Sequence, residues 1–275
     1  MSVNGRTVWR ADSGIWRAEV DPSRGRLAYL GPRNGPNFLN APAVPSDRLQ
    51  LGGHRVWLGP QTEWKPFWPP PENWEMAPAL TVRLRRPDLL EVESPAGTGD
   101  AVAIRRTYRW SANGRLECGV SWEERTRRGR QAMQIFQLAG DVVFEAIPKP
   151  TESVPRGFVR LPIGSRPATE TIFPLPRQAT RSGDRILLRR KSAEEKLGFP
   201  TQTLSARWPQ GALLLRAGRI KGKTVEEPDR GFNAQIYLGG DDVPLLEFEQ
   251  LSPRLIPWRP GDRVGSTVLL ELRSR

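Results

Sequence analysis

"RLECGVSWEE" (residues 115–124) decides the fold class. Leu116, Cys118, Val120 and Trp122 fall on one side of the segment, and Glu117, Gly119, Ser121 and Glu123 on the other. This is the period-two alternation of a strand with one buried and one wet face. "AVAIRRTYRW" (101–110) repeats it, with Ile104, Tyr108 and Trp110 set against Arg105, Thr107 and Arg109. "TVRLRR", "LLEVES", "DRILLRR", "GALLLRA", "AQIYLGG", "PLLEFEQ" and "STVLLEL" also read as strands bounded by turn residues. No long window keeps apolar residues at i, i+3, i+4 and i+7, and 27 prolines and 26 glycines punctuate the 275 residues. Many short strands without crossover helices predict an all-β chain folded as a large antiparallel sandwich. No fixed-period repeat or low-complexity linker divides it, so residues 1–275 are expected to form a single domain. The proline- and glycine-rich stretch 147–184 has regularly spaced apolar residues and reads as an ordered, wandering loop with short edge strands.

Composition removes several function classes. The single cysteine, Cys118, forbids an internal disulfide and lies on the apolar face of its strand, a core position rather than a nucleophile's. One histidine rules out the usual multi-histidine metal sites, so a metal would need carboxylates and backbone oxygens; no metal site and no cofactor are expected. There is no G-x-x-x-x-G-K phosphate loop. The N-terminus shows no leader pattern and the chain no run of 18 apolar residues, which predicts a soluble, cytoplasmic protein without a membrane partner, or a periplasmic or secreted one if the true start lies upstream. The net charge of +12 raises nucleic acid as a partner, but 36 of the 42 cations are arginines scattered along the whole chain, with no stacking module among them. "EERTRRGRQ" (123–131) reads as a solvated basic hairpin turn.

Two stretches carry candidate chemistry. In "PLLEFEQLSPRLIPWRPGD" (244–262), Glu247 and Glu249 are two apart on a predicted strand and share a face, with Leu246, Phe248 and Gln250 on the other. Such a pair is either the solvent face of an edge strand or a cleft wall where one carboxylate serves as a general base. In "GGHRVWLGPQTEWKPFWPPPENWE" (52–75), the only histidine, His54, adjoins Arg55 within a run rich in tryptophan and proline. Arg55 offers a planar fork of donors, His54 a proton donor or acceptor, and Trp57, Trp64, Trp68 and Trp74 flat faces of the kind that meet a pyranose. The glycines would allow a ligand close to the backbone. Lys196, in "EEKLGFP", either reaches a cleft or pairs with Glu194 and Glu195 at the surface.

These segments resemble the galactose mutarotase-like (aldose 1-epimerase) superfamily. The Glu-to-"RPGD" run is similar to the end of those enzymes, where a base glutamate precedes a Pro-Gly-acid turn. "RGRLAYLGPRNGPNFLN" (24–40) resembles their opening, and "GGHRVW" their sugar-binding arginine segment. The proline- and tryptophan-rich tail, with "KLGFPTQ" and "GFNAQIYLGG", is more like a bacterial branch described as domain of unknown function 4380 than like true mutarotases. The resemblance spans nearly the whole chain. It implies a β-supersandwich with a cleft across its concave sheet, a mono- or oligosaccharide ligand, and Glu247, Glu249, His54, Arg55 and Trp57 around that ligand.

The chain departs from the enzymes at the general acid. Their acid histidine lies in a short strand motif whose best match here, "AMQIFQLAGD" (132–141), has Met133 or Gln134 at that position. Gln134 and Gln137 can bind a ligand but transfer no proton at neutral pH. Either His54 acts from a different strand, an acid and a base are made from Glu247 and Glu249, or the protein binds sugar without turning it over. The expectation is therefore a carbohydrate-binding protein of the aldose epimerase type that interconverts anomers through a carboxylate base. The alternatives are a non-catalytic sugar-binding protein and, further off, a basic nucleic-acid-binding β protein. An anionic sugar would suit the excess of arginine.

Overall fold

The computed structural model describes residues 2–3, 6–41, 52–66, 69–75, 81–97, 102–152, 154–161, 163, 178–241 and 245–274. Among them, two large antiparallel sheets dominate. The ten-stranded sheet runs, in spatial order, through Ala179–Ser182, Arg185–Leu188, Val143–Ala146, Thr203–Trp208, Gly211–Lys221, Arg263–Arg273, Arg115–Glu123, Arg105–Ser111, Leu89–Glu93 and Thr81–Arg85. The six-stranded sheet is ordered Val159–Arg160, Glu195–Phe199, Ala234–Leu238, Leu246–Leu251, Gln131–Gln137 and His54–Gly59. A three-stranded sheet of Trp9–Ser13, Trp16–Asp21 and Arg26–Pro32 adds to the same core. Nine of the quoted segments contain strands, and the all-β antiparallel expectation holds.

The alternation read in 115–124 becomes the core. Leu116 and Cys118 turn inward with Tyr108, Trp110, Val268 and Leu270, and meet Phe136, Phe248, Ile236 and Leu246 of the six-stranded sheet in one cluster. Phe144 and Phe248 pack across the two sheets with ring centroids 4.8 Å apart. Each such side chain removed from water contributes roughly 1.5–3 kcal/mol. The opposite face of the ten-stranded sheet is polar, and its arginines meet carboxylates on neighbouring strands: Arg115 with Glu271 at 3.5 Å, Arg105 with Glu91 at 3.3 Å, and Arg207 with Glu145 at 2.8 Å. Much of the scattered basic charge thus lies in cross-strand pairs.

Within the 147–184 stretch, residues 153, 162 and 164–177 fall outside the described residues, and the remainder carries the edge strands Val159–Arg160 and Ala179–Ser182. Among the described residues no helix is long and apolar enough to cross a membrane. The "RGRLAYLGPRNGPNFLN" segment forms Arg26–Pro32 and then a turn fastened by Asn37, whose Oδ1 accepts from the Leu30 and Leu39 amides at 3.0 Å each and whose amide donates to Ala28 O at 2.7 Å.

Candidate functional site

The six-stranded sheet has one face against the core and one turned away from the ten-stranded sheet. Cross-strand register assigns each residue to a face. Glu247 opposes Gln137 on one side and Tyr237 on the other, while Glu249 opposes Ile135 and Gln235. Arg55 opposes Ile135, Trp57 opposes Met133, and Lys196 opposes Tyr237. The outer face therefore gathers Arg55, Trp57, Gln137, Lys196, Tyr237, Glu247 and Glu249. Sequence parity predicted the carboxylate pair correctly, and Phe248 and Gln250 do point the other way.

Gln137 Nε2 donates to Glu247 Oε1 at 2.7 Å, and Arg55 Nη1 lies 3.8 Å from the same oxygen. Lys196 Nζ donates to Glu249 Oε2 at 2.9 Å. The Arg55 guanidinium also covers the Trp57 ring, 4.6 Å from its centroid. Arg55 and Glu249 each expose 3% of their surface and Glu247 9%, so this is a largely desolvated charge cluster rather than a solvent face. Burial, followed by repulsion from Glu249, raises the Glu247 carboxyl above its ordinary value; Arg55, Gln137 and Lys196 offset part of that rise. Tyr237 donates to Glu194, and its phenol is pushed up by burial and by the acids near it.

Two predicted site residues lie elsewhere. His54 precedes Arg55 by one residue and so faces the opposite way, into the core. Its ring stacks on Phe136 with centroids 4.3 Å apart and planes 3° from parallel, and Nδ1 is 3.2 Å from Tyr108 Oη of the ten-stranded sheet. Full burial, with Arg106 and then Arg26 nearby, holds the imidazole neutral, well below its usual range. Gln134, three residues before Gln137, also faces the core, beside His54 and opposite Gln250. Neither joins the outer-face cluster.

The surrounding glycines and tryptophans have structural reasons for being there. A Cβ on Gly52 would sit 2.0 Å from Asn40 O, and one on Gly53 2.2 Å from Leu27 O, with φ of +67° and +68°. Their freedom admits neighbouring backbone, not a ligand. Trp74 is buried and donates to Val102 O at 2.9 Å; Trp64 is half-buried and donates to Leu58 O at 2.8 Å. Trp68 lies outside the described residues. Sequence reading missed Tyr237 and left Lys196 undecided; the spacing of "GFNAQIYLGG" against "EEKLGFP" carried no register by which to join them.

Among the described residues no group of three or more His, Cys, Asp or Glu side chains is arranged to hold a metal ion. What the cluster can do is hydrogen-bond a polyhydroxylated ligand and move protons between two carboxyl groups.

No family model matches the sequence, and no curated protein matches it. Solved structures do match in fold. A proposed aldose 1-epimerase from Escherichia coli K12 superimposes with a TM-score of 0.65 at 12% identity, covering 98% of this chain and 99% of that one. A galactose mutarotase-like protein from Lactobacillus casei gives 0.62 at 11% identity over 97% of this chain and 100% of that one. A galactose mutarotase related enzyme from Lactobacillus acidophilus gives 0.58 at 9% identity over 98% of both chains. The fold is therefore that of the galactose mutarotase-like proteins, in agreement with the strand pattern and with the resemblance read in the sequence.

Proposed function

We propose that the outer face of the six-stranded sheet binds a carbohydrate and that Glu247 and Glu249 interconvert its anomers. The observation that carries this reading is the unequal setting of two carboxyls on one face. Glu249 accepts a hydrogen bond from the Lys196 ammonium at 2.9 Å, whereas burial and its neighbour raise the Glu247 carboxyl above its ordinary value.

Anomer interconversion needs that polarity. Glu249 takes the proton of the C1 hydroxyl, that oxygen's electrons form the aldehyde C=O, the bond from C1 to the ring oxygen breaks, and Glu247 delivers a proton to the ring oxygen. After rotation about C1–C2 the two groups reverse roles and the ring closes on either face, leaving both as they began. The two reacting oxygens are bonded to the same carbon, so acid and base must stand close together. Alternate residues of one strand are about 6.6 Å apart and meet that need, whereas a glycosidase places its carboxyls on opposite sides of the scissile bond. In this mechanism no histidine is required. Arg55 and Gln137 would orient hydroxyls.

A non-catalytic sugar-binding protein is the second reading. Its support is that both carboxyls already have cationic partners within the protein, which stabilises a receptor as well as an enzyme. Proton NMR of glucose and galactose, with α-to-β exchange followed with and without protein, separates the two. Faster exchange that is lost in Glu247→Gln and Glu249→Gln supports the enzyme; line broadening without faster exchange supports the binder; neither effect removes the carbohydrate reading for these sugars.

A further inference from the structure

Beyond the end of strand His54–Gly59 the proline-rich segment encloses a cavity of about 1150 Å³, walled by Pro60 and Pro71, with Trp64 at its apolar side and Lys65, Glu72 and Arg128 at its rim. This is above the volume usual for a single small ligand. It adjoins the carboxylate site along that strand, through a row of contacting side chains. Arg55 stacks on Trp57 at 4.6 Å, and Trp57 meets Trp64 edge to face with ring centroids 5.6 Å apart. Gly59, which lines the cavity, is four residues beyond Arg55 on the same strand, about 13 Å along the sheet. That separation is too long for one sugar ring to span and short enough for a chain of them.

We propose, resting on the carbohydrate reading above, that this cavity holds the further units of a neutral oligosaccharide whose reducing-end unit lies on Glu247 and Glu249. Pyrrolidine rings and an indole face offer apolar surface to the C–H faces of successive rings, and the prolines fix that surface in advance, so little ordering remains to be done on binding. The rim mixes signs: Lys65 and Arg128 stand with Glu63 and Glu72. Mixed donors and acceptors match hydroxyl groups, while a polyanion would meet two carboxylates. Chain length, not charge, is then the specificity the segment supplies.

The test is calorimetric titration of the full chain with glucose, galactose, and α-1,4- and β-1,4-linked gluco-oligosaccharides of increasing length. Affinity in one linkage series should rise at least tenfold from the monosaccharide to the longest chain. Lys65→Ala and Arg128→Ala change exposed side chains that leave the core intact; together they should cut that gain severalfold and leave monosaccharide affinity unchanged. Equal affinity for one unit and for long chains would overturn the cavity assignment while the carboxylate site stood. A length-dependent gain untouched by both rim variants and by Trp64→Ala would place the added units elsewhere and also overturn it. Absence of binding by every sugar would overturn the carbohydrate reading itself, and this proposal with it.

Discussion

Lys196 is in register with Glu247 through Tyr237, yet its ammonium binds Glu249, 2.9 Å away in the neighbouring row. Arg55 mirrors it from the other side: through Ile135 it is in register with Glu249, and its guanidinium lies 3.8 Å from Glu247. Each cation thus reaches across two strands and diagonally, so the two ion pairs cross over the face. Shifting the strand Leu246–Leu251, which bears both carboxylates, by one residue would undo both pairs at once, which makes the cluster a lock on register as well as a site.

Lys196→Met should therefore destabilise the protein by roughly 2–3 kcal/mol, below the 3–5 expected when one member of a fully buried pair is lost, because the lysine keeps some contact with water. Adding Glu249→Gln to that variant should recover at least half of the loss. Chemical denaturation of the two single variants and the double variant measures this. Strict additivity would show that the two side chains are not coupled.

Glu247 sets a second expectation. Its folded-state carboxyl titrates above its ordinary value, so the folded protein binds the proton more tightly than the unfolded chain. That contribution to stability is complete below the ordinary glutamate value and is lost as pH rises through the folded value. Glu247→Gln should flatten the stability profile over this window and be the more stable protein on its alkaline side. Denaturation midpoints collected from pH 4 to 8 test it; an unchanged slope would contradict the assignment.

His54 works in the opposite sense. Its folded value lies well below 6.5, so its contribution is present above that value and lost as pH falls toward the folded one. His54→Phe keeps the stack on Phe136, and Tyr108 still donates to Gly25 O at 2.9 Å. The variant should lose much of the acid-side decline in stability. Any anomer interconversion should persist within about twofold, since the ring faces the core; a loss greater than tenfold, about 1.4 kcal/mol in the barrier, would return His54 to the mechanism.

Gly53→Ala should cost roughly 3 kcal/mol, because the new Cβ meets Leu27 O while φ is in the left-handed region. Gly140→Ala is the control. It has positive φ with no atom within 4 Å of the added Cβ, so only the conformational part, roughly 1 kcal/mol, should appear.

Strand class was legible because strands such as Arg115–Glu123 have one wet face and alternate visibly. The site strand His54–Gly59 is buried at all six positions, so polarity gives no clue to its faces. Parity alone still held the answer: His54 and Arg55 cannot share a face, and Gln134 and Gln137, three apart, cannot either. Arg106 is a similar case. It shares parity with Ile104, Tyr108 and Trp110, and inside the core it donates to Gly25 O at 2.9 Å. The crossing of Lys196 and Arg55 over the carboxylates depends on inter-strand register, which no local pattern encodes.

The chain has one imidazole, and the fold withdraws it from titration. With the only cysteine also buried, neither the imidazole nor the thiol of this chain is presented at the surface. The exterior of this basic protein consequently has no imidazole through which to gain charge in a mildly acidic medium. Its solubility and its attraction for anions gain nothing from histidine protonation, and among the described glutamates it is Glu247 and Glu195 whose carboxyls burial raises above the ordinary value.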